Sequence, residues 1–406
     1  MKSSTSTTMQ TPSLEGRESL SVRKILSERP AISTAASAHI ALIRGLAAIA
    51  VLIGHARNLF FIDYVQVQHP NPWLAAAYGT TVFGRQAVMV FFVLSGYLIG
   101  SSVLRSVERN QWSTTRYCLH RLVRLEIVLF PALLLGLAWD LGGIHHFGLQ
   151  GIYGGHAQGS VMSYSVPQTI SWPIVAGNIA FLQSIQVPCL GSNNPLWSLS
   201  YEFWYYALFP CIILMFARRG RSLALSVLLG VAVAVFMGRY LLTYFPIWLL
   251  GTVIYFLPKP KRFRFAPAMT GIAGCLFGLD LWLTKVFWQN AYVSDFSVAI
   301  CFAFFLYWLL HLPLKVSERY IKATNTLAAS SFTLYVTHMP FLVFIAAWNG
   351  TRREPTPLHM LFLGGLVLLV WIYARIVYMC FERNTNNLRS WLERKLLRIN
   401  APCSQL

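Results

Sequence analysis

Along most of this chain apolar residues run in blocks of about twenty, broken by short polar stretches, with no sustained alternation of the strand type. A membrane-crossing helix needs roughly 17–25 such residues. Ten blocks qualify: 39–61, 80–104, 121–141, 196–217, 222–238, 240–257, 267–285, 295–313, 327–348 and 357–380. The fifth and sixth are separated only by Arg239. A further apolar stretch, 173–187, is short and opens on Pro173, so a re-entrant or surface helix is expected there. The first 38 residues are rich in Ser and Thr and lack an apolar core, which predicts a flexible cytoplasmic tail and not a cleaved signal peptide. The expected fold is all-α: a polytopic membrane helix bundle over 39–383, followed by a basic cytoplasmic tail over 384–406.

Charge changes the picture in one respect. Only 12% of the 406 residues are charged, about half the usual share of a soluble domain. The net charge of +19 would suggest a nucleic-acid partner in a soluble protein. Its distribution argues otherwise. Of the 33 Lys and Arg residues, 25 fall in the alternate segments 1–38, 105–124, 218–221, 259–264, 315–322 and 383–398. The opposite connections hold only Arg239, Lys285, Arg352 and Arg353. That asymmetry follows the positive-inside rule and predicts both termini in the cytoplasm, with no nucleic acid involved. The seven cysteines show no paired spacing, so neither a disulfide framework nor a metal site is expected. The longest outer connection, 142–195, is free of Lys, Arg, Asp and Glu, rich in Gly, and carries His145, His146 and His156. Loops of that length are usually functional or disordered.

Four cations remain inside spans: Arg44, Arg57, Arg85 and Arg375. A charge at the bilayer centre costs at least about 2.5 kcal/mol. In "ALIRGLAAIAVLIGHARN" (41–58), Arg44 and His55 are eleven residues apart, which places them on one helix face about 16 Å apart. That face is expected to point into a protein-lined or wet cavity, although a snorkelling arginine and a satisfied core histidine would give the same pattern. The fourth span opens with "NNPLWSLSYEFWYYALFP", where Ser198 and Glu202 share a face at i,i+4. Glu202 lies at a depth similar to that of His55, so the two could pair, with the carboxylate orienting the imidazole; Glu202 could equally bridge helices. Ser95 and Gly96 in "VMVFFVLSGYLIG" permit close helix approach. Arg121 and Arg124 in "HRLVRL" lie at i,i+3 and suit phosphate oxygens, or serve as ordinary inner-side charge. In "SSFTLYVTHMP", Ser331, Tyr335 and His338 again share one face, with His338 near mid-bilayer.

Taken together, these stretches resemble the acyltransferase-3 family of membrane-bound O-acyltransferases. "RGLAAIAVLIGH" matches the family's first-helix Arg and His, and "FFVLSGYLIG", "RLVR", "LWSLSYEFWYY", "SFTLYVTHMP" and "FER" follow in the family's order over 39–383. Two positions depart: Met89 stands where members often have an acidic residue, and Asn384 where "ER" is commonly followed by Pro. Some relatives carry an additional hydrolase-like domain after the spans; none is expected in the stretch to Leu406.

The resemblance implies transfer of an acyl group, expected to be acetyl, from a cytoplasmic acyl-CoA to a hydroxyl of an envelope or exported glycan or lipid-linked saccharide. The membrane would be the bacterial inner (cytoplasmic) membrane. No permanently bound cofactor is expected, acyl-CoA being a substrate. A histidine suits the task of taking the hydroxyl proton, which assigns His55 as base and Glu202 as its catalytic partner. Arg44, Arg121 and Arg124 are expected to bind acyl-CoA, with Ser198, Tyr335 and His338 lining the substrate path. The rival reading is a secondary transporter of a sugar or anion using the intramembrane charges as a proton relay. Such proteins are often built from inverted repeats, and the motif spacing shows none.

Overall fold

The structure is a computed structural model that describes residues 33–156, 162–258, 260, 263–287 and 290–397. Among them every named element is helical. In chain order these are α1 (Thr34–Phe60), α2 (Pro72–Thr81), α3 (Gly84–Glu108), α4 (Thr114–Phe147), α5 (Trp172–Ile179), α6 (Trp197–Ala217) and α7 (Arg221–Phe256). They continue with α8 (Ala266–Val286), α9 (Ala291–Leu310), α10 (Glu318–Ala329), α11 (Ser331–Asn349), α12 (Pro357–Cys380) and α13 (Thr385–Leu397).

Nine helical stretches among the described residues are long and apolar enough to cross a membrane. One of them, α7, is broken at Gly238, whose φ of 68° and ψ of 177° no helix contains. Its first arm runs antiparallel to α6, with Phe236 against Trp204 and Gly230 against Cys211 and Met215. Its second arm runs parallel to α6: Tyr205 donates to the Leu241 carbonyl, and Phe209 packs against Trp248. The chain therefore reverses at Gly238, between the two blocks 222–238 and 240–257 that the sequence reads as separate spans. Glycine is required at this position because the left-handed φ is costly for a residue with a Cβ.

Cross-helix contacts fix the two ends of the bundle. His39 meets Tyr320, Arg124 meets Glu382, and Tyr255 donates to Glu108. These groups mark what is called here the basic end, where residues 33 and 397 both lie. At the far end Arg352 binds Asp63, and Asp140 accepts from the Ser192 amide at 2.8 Å and its hydroxyl at 2.6 Å.

Three sequence expectations are refined. The second basic segment, 105–124, is not a loop leading into a span at 121, because α4 is already helical from Thr114, capped by Ser113. The tail expected over 384–406 holds α13, anchored to α4 through His120 and Glu393 at 2.5 Å. The tail expected over 1–38 falls outside the described residues up to 32, and α1 starts at Thr34. The long connection 142–195 is an ordered insert where described. Its Asn178, Gln183 and Asn193 side chains bind backbone carbonyls within it or across to α11. The short helix read at 173–187 is α5, which crosses nothing.

Close packing follows the small residues. A Cβ on Gly96 would fall 1.8 Å from the Trp248 carbonyl oxygen, and one on Gly251 would fall 1.9 Å from that of Val93. The backbones of α3 and the second arm of α7 thus touch, as small residues in membrane helices allow.

Candidate active site

Two cavities meet in the basic half of the bundle. The outer one, about 590 Å³, opens at the basic end among Arg44, His120, Arg121, Arg124, Arg383 and Arg389. The inner one, about 180 Å³, reaches Ser198, Glu202, Tyr206, Ser331 and Tyr335. Both are lined by Arg44, Leu98, Arg121 and Arg124, so they form one path from the basic end into the bundle.

Helix breaks hold the walls of this path. A proline leaves the carbonyl four residues earlier without its helical donor. Pro340 releases the Val336 carbonyl, which accepts from Asn193 Nδ2 at 2.8 Å. Pro210 likewise releases the Tyr206 carbonyl, which accepts from the Tyr117 hydroxyl at 3.0 Å. Both released carbonyls lie one turn or less from site residues, and each is satisfied by a different element. This ties the 142–195 insert to α11, and α4 to α6.

The cations are already partnered in part. Arg44 donates to the Ser331 hydroxyl at 3.4 Å. Arg124 Nη1 lies 2.6 Å from Glu382, a buried carboxylate that also accepts from the Thr333 amide and hydroxyl. Arg121 instead lies over the rings of Tyr117 and Tyr206 at 5.6 and 5.9 Å, and its Nε has no hydrogen-bond partner. Of the i,i+3 pair, Arg124 is thus tied to a carboxylate, while Arg121 is held by aromatic faces and keeps its N–H donors for a ligand.

Deeper in, a relay of polar groups runs from Trp248 Nε1 to Ser95 Oγ, then to the Tyr206 hydroxyl, and on to Glu202. Ser198 and Tyr335 are bonded hydroxyl to hydroxyl at 2.6 Å. Behind Tyr335, whose ring centroid is 6.1 Å from that of His338, the two histidines face each other with centroids 5.3 Å apart. His338 is fully buried, and its Nδ1 lies 3.0 and 2.8 Å from the Leu334 and Tyr335 carbonyls. Carbonyls only accept, so Nδ1 carries the hydrogen, and Nε2 of the neutral ring keeps its lone pair. That Nε2 and His55 Nδ1 are both buried without hydrogen-bond partners.

The sequence assigned His55 and Glu202 to catalysis, Arg44, Arg121 and Arg124 to acyl-CoA, and Ser198, Tyr335 and His338 to the substrate path; the structure brings Arg44, Arg121, Arg124, Ser198, Glu202 and Tyr335 into one cavity lining, and His55 and His338 lie outside it. The structure corrects one pairing. Glu202 bonds Tyr206, one turn along its own helix, and no hydrogen bond links it to His55 among the described residues. The neighbour of His55 is His338. Depth along two helices matched for Glu202 and His55, but their faces turn to different partners. Tyr206 was missed, although its i,i+4 spacing from Glu202 was available as a signal. Glu382 was seen only as part of "FER"; no local pattern announces its burial against Thr333. No group of three or more His, Cys, Asp or Glu side chains converges as a metal site among the described residues.

A family model described as an acyltransferase domain (Acyl_transf_3) matches residues 38–376. A putative membrane-bound transacylase, BcsY, of Komagataeibacter xylinus is 25% identical over 316 residues, which cover 73% of this chain and 75% of that protein. The peptidoglycan O-acetyltransferase OatA of Listeria monocytogenes is 27% identical over 146 residues, 35% of this chain and 22% of OatA. No solved structure matches the chain. The transporter reading therefore gives way. The chain belongs to the acyltransferase-3 family and is a membrane-bound acyltransferase.

Proposed function

We propose that this acyltransferase takes an acetyl group from cytoplasmic acetyl-CoA and delivers it to a hydroxyl of an envelope or exported glycan, with His55 as general base. In this reading the basic end faces the cytoplasm of a bacterial cell, and the bundle spans its inner membrane. The cation-lined path carries the argument: it begins among guanidinium groups suited to a donor's phosphates and ends at Tyr335, next to the histidine pair. OatA, by its name, acetylates a glycan, which supports the same acyl group and acceptor class here.

The chemistry then needs few groups. A neutral His55 takes the proton of the acceptor hydroxyl as that oxygen attacks the thioester carbonyl. The C–S bond breaks, and the departing thiolate takes the proton back from the imidazolium, leaving an ester and free thiol. His338, with its tautomer set by two carbonyls, acts as a positioning residue whose ring packs against that of His55. Arg121 binds a donor phosphate, and Glu202 with Tyr206 and Ser198 shapes the inner wall.

The test uses purified protein in lipid nanodiscs with radiolabelled acetyl-CoA and glycan fragments. Label is expected on the glycan with the intact protein and not with His55→Ala. Label transferred equally well by His55→Ala would overturn the assignment of the base. Failure of acetyl-CoA alone among acyl donors would overturn the donor.

A further inference from the structure

One wall of the cavity at the basic end comes from outside the acyltransferase domain. The domain matches residues 38–376, whereas α13 begins at Thr385 and lines the cavity with Thr385, Asn386 and Arg389. Arg121 and Arg124 of α4 line the same space. Its volume of about 590 Å³ is that of a small-molecule site, roughly 300–1,000 Å³.

Residue spacing and one charge cluster fix how α13 sits. Asn386, Arg389 and Glu393 follow at i, i+3 and i+7, so they share one face. Leu388, Trp391 and Leu396 lie on the other side and are exposed. Glu393 Oε1 lies 2.5 Å from His120 Nε2 and 3.6 Å from Arg116 Nε, both on α4. This clamp turns the face that carries Arg389 toward α4 and the cavity. Arg389 itself is half-buried with its Nε enclosed, and it makes no hydrogen bond or ion pair among the described residues. The nearest carboxylate along the helix, Glu393, is engaged by α4. Arg383, by contrast, is exposed, and Arg124 is held by Glu382. A guanidinium seated in a wall with donors to offer loses little freedom when it binds an oxyanion.

We propose that α13 forms the nucleotide end of the donor site and that Arg389 is the residue that selects the 3′-phosphate on the ribose of CoA. The inference rests on the acyl-transfer reading above and adds a specificity-determining residue to it. The order of the cations along the path supports the assignment. Arg44, Arg121 and Arg124 line both cavities and so stand where the two meet, whereas Arg389 lines the outer one alone. An acyl-CoA that enters thioester first has its pantetheine arm ahead, the pyrophosphate behind it and the 3′-phosphate last. The pyrophosphate then falls to Arg121, and the 3′-phosphate to the cation farther out. A phosphate monoester carries a charge of about −1.5 to −2 at pH 7, and two of its oxygens match the fork of one guanidinium. Asn386, on the same face as Arg389, adds an amide that can pair with the ribose or the base.

The test reads binding without turnover. Affinities for CoA and for dephospho-CoA, which lacks only the 3′-phosphate, are measured by calorimetry on the full protein in nanodiscs. The unmodified protein is expected to bind CoA about tenfold more tightly than dephospho-CoA, as a charge-assisted hydrogen bond gives. Arg389→Ala is expected to erase that preference, weakening CoA about tenfold and leaving dephospho-CoA unchanged. The unchanged dephospho-CoA affinity shows at the same time that the variant is folded. Arg394→Ala removes an exposed charge of the same helix that is not in the cavity lining, and it is expected to change neither affinity. A preference for CoA that survives Arg389→Ala, or an equal loss for both ligands, would overturn the inference and leave the acetyl-CoA donor standing. Loss of the preference in Arg394→Ala as well would also overturn it, because a diffuse field and not one guanidinium would then select the phosphate. Binding of neither ligand to the unmodified protein would overturn the inference and the donor together.

Discussion

The two ends of this bundle are built from different materials. The basic-end path has Arg44, Arg121, Arg124, Arg383 and Arg389 in its walls, with Glu382 as counter-charge. At the far end, a cavity between the ends of α1 and α4 and the segment joining α11 to α12 holds the amides of Asn58 and Gln150, and its one guanidinium is bound to Asp63. A single transported solute would need compatible linings on both sides of the barrier between them. Linings this different suit a group transfer, whose anionic donor stays at the basic end.

The middle gives the largest expected effect. His55→Ala should lower kcat by at least about a hundredfold, the lower range for loss of a general base. His338→Gln, which cannot pack the same ring against His55, should cost about tenfold. Adding it to His55→Ala should cost nothing further, because residues acting as one unit are not additive. Steady-state transfer assays on the single and double variants decide this. Multiplicative losses would break the pair.

Glu202 sharpens the comparison in the opposite sense. It bonds Tyr206 and lines the basic-end cavity, whereas His55 faces His338. Glu202→Gln and His55→Ala are therefore expected to combine multiplicatively in kcat/KM, and a double variant no worse than His55→Ala would restore their coupling.

A third measurement divides the two arginines of the mouth. Arg121→Ala should raise KM for the thioester about tenfold, with little change for the acceptor and little change in Tm. Arg124→Ala should also lower Tm, because it strips a partner from the buried Glu382 carboxylate. Equal thermal behaviour of the two variants would show that the Arg124–Glu382 pair carries no structural role.

The smallest effect concerns the ends themselves and leaves activity untouched. Cysteines at Gln111 and Asn290, exposed at opposite ends, are introduced after removal of Cys118, Cys275 and Cys380. In intact cells an impermeant thiol reagent should label Asn290→Cys and not Gln111→Cys. The native Cys189 can stay. Burial pushes its thiol up to about 12, so at neutral pH almost no reactive thiolate forms, and labelling should rise only in strongly alkaline buffer. Labelling of Gln111→Cys without permeabilisation would invert the two ends.

Much of this was legible in the chain because a membrane imposes simple rules. Lipid satisfies no backbone hydrogen bonds, so each crossing must be a long apolar helix, and cations in short connections report the side. Those rules marked the apolar blocks that fold as long helices among the described residues, including the pair separated only by Arg239, where Gly238 makes the turn. Helical periodicity also grouped residues correctly on single faces: Ser331, Tyr335 and His338 all turn inward on α11. The insert at 142–195 was less legible. Its order comes from side chains such as Asn178 and Asn193 reaching carbonyls, one of them freed by a distant proline.

What the sequence by itself determined is thus the class of fold, the passes, and the set of polar residues that lipid would not tolerate. Only the tertiary structure decided which of those residues meet. Periodicity assigns a residue to a face of its own helix but says nothing about the rotation of that helix against its neighbours. Rotation follows from contacts between residues far apart in the chain, such as Gly96 beneath Trp248 and Gly251 beneath Val93. His55 meets His338 across two helices in this way, whereas Glu202 keeps a partner one turn along its own helix. The glycine-rich insert and the ends of α1 and α11 likewise enclose a pocket that no continuous stretch of sequence contains.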